Sequence, residues 1–358
     1  MSARDSSASE RYDVAIIGAG PTGLFASFYA GMRNLKVVVL EALSRPGGQI
    51  TALYPEKYIY DVGGHSSVLG RDLVTELYKQ GSQFGADFRF DERVEGLRLI
   101  EPGHLRLNTA EGEYDARTAI ICAGLGAFKP NRLPVEGAAE REGKGVSYVV
   151  RERERFLGRR LLVVGGGDTA VDWALELRRW AREVTLIHRQ DHFAAHQHSV
   201  QALKESKVHV LTPYQLRAVG GDDKVEEAVL VNTRTEGEHT LRVDDVLICV
   251  GFKADLGPIL KWGLELEGRN LLVDDGLQTN VPGVFAAGDI ALPRGGVNMN
   301  LIAVGFAQAT MAVGFANRFM HPEARVFHGH SSQRKGMKYT PTPAADGSGG
   351  TDTEGAQP

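Results

Sequence analysis

Two glycine-rich hexapeptides set 147 residues apart constrain this chain more than any other feature of its sequence. The first is Gly18-Ala19-Gly20-Pro21-Thr22-Gly23, after the apolar run 14–17. The second is Gly165-Gly166-Gly167-Asp168-Thr169-Ala170, after 161–164. Each stands between a strand pattern and a helix pattern, and each unit closes on a second apolar strand. Those strands end Val39-Leu40-Glu41 and Leu186-Ile187-His188-Arg189, so Glu41 and His188, also 147 apart, occupy equivalent positions. In such a turn the first glycine permits the tight strand-to-helix reversal and the second lets backbone approach a pyrophosphate. The third, or Ala170 in the second copy, lets helix and strand pack closely. The helix N-termini add N–H groups and partial positive charge for phosphates. An acid at the end of the second strand accepts hydrogen bonds from an adenosine ribose, whereas His-Arg suits a 2′-phosphate. Two different dinucleotides on one chain point to an electron-transfer enzyme.

The length of 358 residues favours two domains over one core. A net charge of −4 gives no global field for nucleic acid, and the basic stretch Arg151-Glu152-Arg153-Glu154-Arg155 with Arg159-Arg160 reads as a solvated face. Residues 1–11 are polar and serine-rich with no apolar core, so they are expected to be disordered and not a secretory signal. The longest apolar stretch, 301–316, contains Gln308 and Thr310 and is short for a membrane span. Residues 340–358, rich in Gly, Pro, Thr and Asp, are expected to be disordered. No membrane contact is expected, and the protein reads as cytoplasmic.

The only cysteines, Cys122 and Cys249, each end an apolar strand and read as small core residues. There is no Cys-x-x-Cys. His192, His196 and His198 have no Cys or Glu suitably placed beside them, so no metal is expected.

The order of elements predicts an α/β fold of two Rossmann-like dinucleotide-binding domains, the second inserted into the first. A third apolar strand that stops at glycine and acid, Val284-Phe285-Ala286-Ala287-Gly288-Asp289, marks the return to the first domain. The expected first domain is 12–126 with 284–339, and the second 127–283. Hinges fall near 125–130 and 280–285.

The two fingerprints and Ala287-Gly288-Asp289 resemble the two-domain pyridine-nucleotide disulfide reductases, nearest to low-molecular-weight thioredoxin reductase. Those enzymes carry a Cys-x-x-Cys shortly before GGGDTA; here the stretch is Gly145-Val146-Ser147-Tyr148-Val149-Val150, with no cysteine. Dithiol exchange needs two thiols, so that activity is excluded. A tighter resemblance is to the thioredoxin-reductase-like ferredoxin–NADP⁺ reductases of bacteria. It is carried by Leu53-Tyr54-Pro55-Glu56-Lys57-Tyr58, Gly126-Ala127-Phe128-Lys129-Pro130, Gly166-Gly167-Asp168-Thr169-Ala170 and Ala195-His196-Gln197-His198-Ser199, and it runs from about 12 to 332.

This resemblance implies FAD in the first domain and NADPH in the second, with ferredoxin or flavodoxin as electron partner and a homodimer as the assembly. The implied FAD residues are Gly18, Gly20, Thr22, Gly23, Glu41, Gln49, Tyr54, Val94, Phe128, Asp289 and Ser332. Glu41 holds the ribose, Tyr54 stacks on one flavin face, and Asp289 bonds the ribityl chain or pyrophosphate. The implied NADPH residues are Gly165, Gly167, Asp168, Thr169, Ala170, His188 and Arg189. A C-terminal extension, donated across the dimer, covers the other flavin face with His330 or its near neighbour His328. No catalytic side chain is expected, because hydride transfer needs positioning and electrostatics and no protein nucleophile.

One departure stands out. The family has His-Arg-Arg and then Phe-Arg-Ala around the 2′-phosphate, where this chain has His188-Arg189-Gln190 and Phe193-Ala194-Ala195. Two cations are missing, which weakens the preference for NADPH over NADH. A flavin-dependent NAD(P)H oxidase or quinone reductase on the same scaffold, and a non-catalytic redox sensor, stay open from sequence.

Overall fold

The computed structural model describes residues 11–327 and 329–333. The first sheet runs Asp87–Arg89, Val37–Leu40, Tyr12–Ile17, Glu113–Ile121, His104–Asn108, Gly96–Glu101, and Val284–Ala286 pairs with Glu113–Ile121. The strands around the first glycine turn are parallel, and the edge is an antiparallel meander. Tyr12–Ile17 and Val37–Leu40 are almost wholly apolar and buried, as expected of parallel strands covered on both faces.

The second sheet, Val146–Ser147, Asp245–Ile248, Arg160–Val164, Glu183–Ile187, His209–Leu211, is parallel throughout. Its strand residues alternate between two cores: Leu161 and Val163 face one, Leu162 and Val164 the other. A three-stranded antiparallel sheet, Tyr214–Gly220, Glu227–Asn232 and Glu238–Arg242, covers one side.

The internal repeat is exact in register. Ile17 pairs with Leu40 and Val164 with Ile187, so both partners are displaced by the same 147 residues. The equivalence of Glu41 and His188, inferred from spacing, is therefore built into the strand pairing.

Two features differ from expectation. The chain returns to the first core well before 284: Leu256, Ile259, Trp262, Leu264, Leu271, Val273 and Leu277 are all buried with Val14 and Ile16. The two connections are antiparallel partners, Ala127–Pro130 and Phe252–Asp255. The second connection therefore lies near 252–256. The short apolar segments between 256 and 283 complete the first core, and their sequence carries too little periodicity to assign them to either domain.

The second difference concerns the basic stretch, which is a solvated face only in part: Arg151, Glu152 and Glu154 are exposed, while Arg153, Arg155 and Arg159 are paired with carboxylates. Arg153 is 9% exposed, and Arg155 and Arg159 both bind Asp245, itself 1% exposed. The arginines neutralise buried carboxylates, a pairing invisible to local charge counting.

Candidate dinucleotide sites

The first glycine turn opens into a cavity of about 270 Å³. Gly18 takes φ +105°, and a β-carbon there would lie 2.6 Å from the Cys122 carbonyl oxygen. Only glycine meets both conditions. Gly23 has no room for a β-carbon because Gly18 O lies against it. Helix Pro21–Met32 starts at Gly20 without a side-chain cap, and Pro21 has no N–H to satisfy. The first-turn N–H groups are thus left for an anion.

Of the residues expected at the first site, Gly18, Gly20, Thr22, Glu41, Gln49, Tyr54, Val94 and Asp289 all line this cavity. The Glu41 carboxylate, 6% exposed, accepts the Ala19 N–H at 2.6 Å and the Leu43 N–H at 2.9 Å. Burial outweighs those hydrogen bonds and raises its carboxyl above the usual range. Gln49 donates to Asp289 Oδ2 at 3.2 Å, and the Asp289 carbonyl accepts from Asn270 and Asn298 at 2.7 Å each. Burial also raises the Asp289 carboxyl. Tyr54 ends the short helix Gln49–Leu53, its phenol pushed up by burial and then by Asp289 and Asp61. The start of helix Ile302–Met320 reaches the same cavity through Asn300 and Ile302.

Sequence reasoning missed the other wall. Leu256, Pro258, Ile259 and Trp262, from the segment that returns early to the first core, also line the cavity. The only signal available was the Trp262 aromatic.

The second turn has the same construction. Gly165 has φ +151°, and a β-carbon would collide with the Cys249 carbonyl. Helix Asp168–Leu177 starts at Gly167 without a side-chain cap, and a β-carbon on Gly167 would meet nothing within 4 Å. Asp168 and Thr169 are exposed and Ala170 is buried against the turn. Asp168 Oδ1 accepts the backbone N–H of His196 at 2.8 Å. His188 stacks on Phe193 with ring centroids 5.5 Å apart. Its pKa is lowered, first by burial and then by Arg189 and His192. Arg189 is exposed beside it.

The two sites are linked by polar contacts. Glu56, 1% exposed, accepts Arg71 at 2.5 Å and Arg153 Nε at 3.0 Å. Arg153 also donates to Glu176 at 2.8 Å, on the helix of the second turn. Lys57 meets Asp172 on that helix at 3.0 Å. Glu56 and Lys57 follow Tyr54 after a single proline, so the loop beside the first cavity is tied to the second dinucleotide unit.

The C-terminal residues lie elsewhere. Arg33, just past the far end of the first helix, donates to the carbonyls of Arg325 and Val326. The His330 ring packs edge-on against Phe327 at 5.3 Å. Ser332 is exposed, and neither Ser332 nor His330 lines the cavity of its own chain. Helix Pro21–Met32 puts about 18 Å between that end and the glycine turn. His328 and the Phe128 side chain lie outside the described residues.

Both cysteines are free and buried, and burial pushes each thiol up to about 12. Among the described residues no cluster of His, Cys, Asp or Glu could hold a metal ion, and no helix is long and apolar enough to cross a membrane.

A family profile described as pyridine nucleotide-disulphide oxidoreductase matches residues 12–315, spanning both turns and the return segment. The chain belongs to this family. Relatives of similar length carry the name ferredoxin–NADP reductase. One from Symbiobacterium thermophilum is 48% identical over 331 residues, covering 91% of this chain and 98% of the relative. Another from Metallosphaera sedula is 46% identical over 329 residues, covering 91% and 99%. Among solved structures, thioredoxin reductase from Lactococcus lactis superposes with a TM-score of 0.69 at 28% identity, covering 86% of this chain and 99% of that one. That from T. acidophilum gives 0.71 at 26%, covering 88% and 100%. The oxidoreductase family thus supplies both the fold of the reductases and the names of the relatives, and this member keeps the fold without the dithiol.

Proposed function

We propose that this chain is a ferredoxin–NADP⁺ reductase, with FAD at the first glycine turn and NADPH at the second. The observation that carries the reading is the pair of equivalent turns that end differently, Glu41 in one and His188-Arg189 in the other, on a chain without a dithiol. Relatives at 44–48% identity over most of the chain bear that enzyme's name, which supports it. The FAD–NADPH pair supplies hydride transfer followed by release of electrons one at a time.

The chain's own residues hold and position. Gly18, Gly20 and Gly23 admit the pyrophosphate to the helix N-terminus. Glu41 is set to accept hydrogen bonds from the ribose while anchored on the Ala19 N–H. Tyr54 offers an aromatic face at the cavity and excludes water from it. Asp289, oriented by Gln49, points a carboxyl at the same space. The start of helix Ile302–Met320, with Asn300 and Ile302 at the cavity, favours negative charge there. At the second turn, Gly165, Gly167, Asp168, Thr169 and Ala170 form the phosphate turn, and Arg189 provides a cation beside it.

Flavodoxin is a second partner class for the same chemistry. We further propose a cytoplasmic homodimer. The distance of His330 and Ser332 from their own chain's cavity supports a C-terminal segment that serves the cavity of a second copy.

The test is stopped-flow reduction of the bound flavin by NADPH and by NADH, then turnover with ferredoxin. The expected result is faster reduction by NADPH and delivery to ferredoxin. Dioxygen consumption that outruns every protein acceptor would show an oxidase instead.

A further inference from the structure

The second dinucleotide site lacks two arginines at Gln190 and Ala194, yet an arginine from another strand pair stands at the same loop. Arg234 lies in the turn between Glu227–Asn232 and Glu238–Arg242, and its guanidinium Nη2 pairs with the Asp191 carboxylate. The turn is bolted to the loop that follows the second strand. Thr233 Oγ1 donates to the Arg189 carbonyl at 3.1 Å, the Thr233 N–H donates to Pro213 O at 2.9 Å, and the Tyr214 N–H donates to His188 O at 2.9 Å. Asn232 Oδ1 accepts the N–H groups of Arg234 and Thr235 at 3.0 and 3.1 Å, which fixes the turn itself.

We propose that Arg234 is a specificity-determining residue that supplies the second cation for the 2′-phosphate of NADPH, in place of the arginines absent from 190 and 194. The inference rests on the reading of the second turn as the NADPH site. Charge counting makes the case. The loop itself carries one fixed cation, Arg189, and one carboxylate, Asp191, which offsets much of the attraction of Arg189 for a phosphate dianion. Arg234 makes the cluster net positive. It also neutralises Asp191, a carboxylate that would otherwise repel the phosphate from the rim of its own subsite. The pairing engages one guanidinium nitrogen of Arg234, and the planar fork has further N–H donors to offer. Arg234 is well exposed, with 69% of its side-chain surface accessible, so a phosphate can reach it.

The test uses the full chain with its flavin bound and reads binding by calorimetry, not turnover. The probes are adenosine 2′,5′-bisphosphate and AMP, which differ only in the 2′-phosphate. The expected result is that Arg234→Gln weakens the bisphosphate about tenfold, the size of one charge-assisted hydrogen bond at an exposed site, while AMP is unchanged. Arg234→Lys restores part of the loss, and Asp191→Asn tightens the bisphosphate by removing the competing carboxylate. Equal effects on both probes, or none on either, would overturn the role of Arg234. If the unaltered chain does not prefer the bisphosphate, the NADPH reading fails and the role of Arg234 fails with it. If it does, and Arg234→Gln keeps that preference, only the role of Arg234 fails.

Discussion

The His188 imidazole lies against Gly166 so closely that a β-carbon on that glycine would collide with Cε1, Nδ1 and Nε2. In the first unit the equivalent pair is Glu41 and Ala19, joined by a 2.6 Å hydrogen bond from backbone to carboxylate. Both second strands therefore send their last side chain to the middle residue of the glycine turn. One side chain is a carboxyl group anchored on an N–H; the other is an imidazole resting on a bare Cα.

That contact makes Gly166→Ala a probe of the second site alone. The ring must swing off the turn, at a cost of about 1–3 kcal/mol for overpacking. The expected outcome is a raised KM for NADPH with FAD content unchanged. The double variant with His188→Ala recovers a large part of the loss, because the two changes share one contact. Strictly additive losses in the double-mutant cycle would mean that the methyl acts on the pyrophosphate and not on His188.

Glu41 predicts a pH dependence of FAD retention. Burial, the largest influence, raises its carboxyl, and in the proposed role of ribose acceptor only the ionised form could accept from both hydroxyls. FAD affinity is expected to fall as pH drops through that raised value. Glu41→Gln should bind FAD more weakly by about 1.5–3 kcal/mol and show no such step. The unliganded chain follows the opposite sign. Its carboxyl is raised relative to the unfolded chain, so the favourable contribution is complete at low pH and is lost as pH rises through the folded value. Flavin fluorescence on release follows the first effect and denaturant titration of the apoprotein the second.

The links between the two dinucleotide units should be very unequal. Glu56 and Arg153 form a buried pair, with side chains 0% and 10% exposed. Glu56→Gln takes the buried carboxylate from Arg153, which keeps Glu176, and from the half-exposed Arg71, and is expected to cost about 1.5–3 kcal/mol. Lys57 and Asp172 are 29% and 42% exposed, so Asp172→Asn should cost less than about 1 kcal/mol. Urea denaturation of both variants checks the contrast; equal costs would deny the central position of Glu56.

The cysteines should be silent in the native protein. With both thiols buried and raised to about 12, an aromatic disulfide reagent at pH 8 is expected to find no fast-reacting thiol. After denaturation it should find two, the full count of the chain. A fast native thiol would reopen dithiol chemistry with a partner.

Much of the first site was legible because a dinucleotide turn is a local device. Gly18, Gly20 and Gly23 are spaced by the steric needs of one strand–turn–helix unit, and Glu41 is found by counting to the end of the next strand. Tyr54 and Asp289 were reached only through resemblance, since nothing in their neighbours' chemistry marks a loop tyrosine or a strand-end acid as facing the same cavity. The sequence by itself determined the two-unit α/β plan, the equivalence of Glu41 with His188, and the absence of a dithiol. These depend on periodicity, spacing and composition along the chain.

Tertiary structure alone decided which distant charges meet. Arg153 finds Glu56 across 97 residues, Arg155 finds Asp245 across 90, and Arg234 finds Asp191 across 43. It also decided that 256–283 joins the first core, where Trp262 and Ile259 wall the cavity. The reason is that apolar periodicity records which face of an element is buried, whereas a charge carries no record of its partner until the fold brings the two together and removes the water between them.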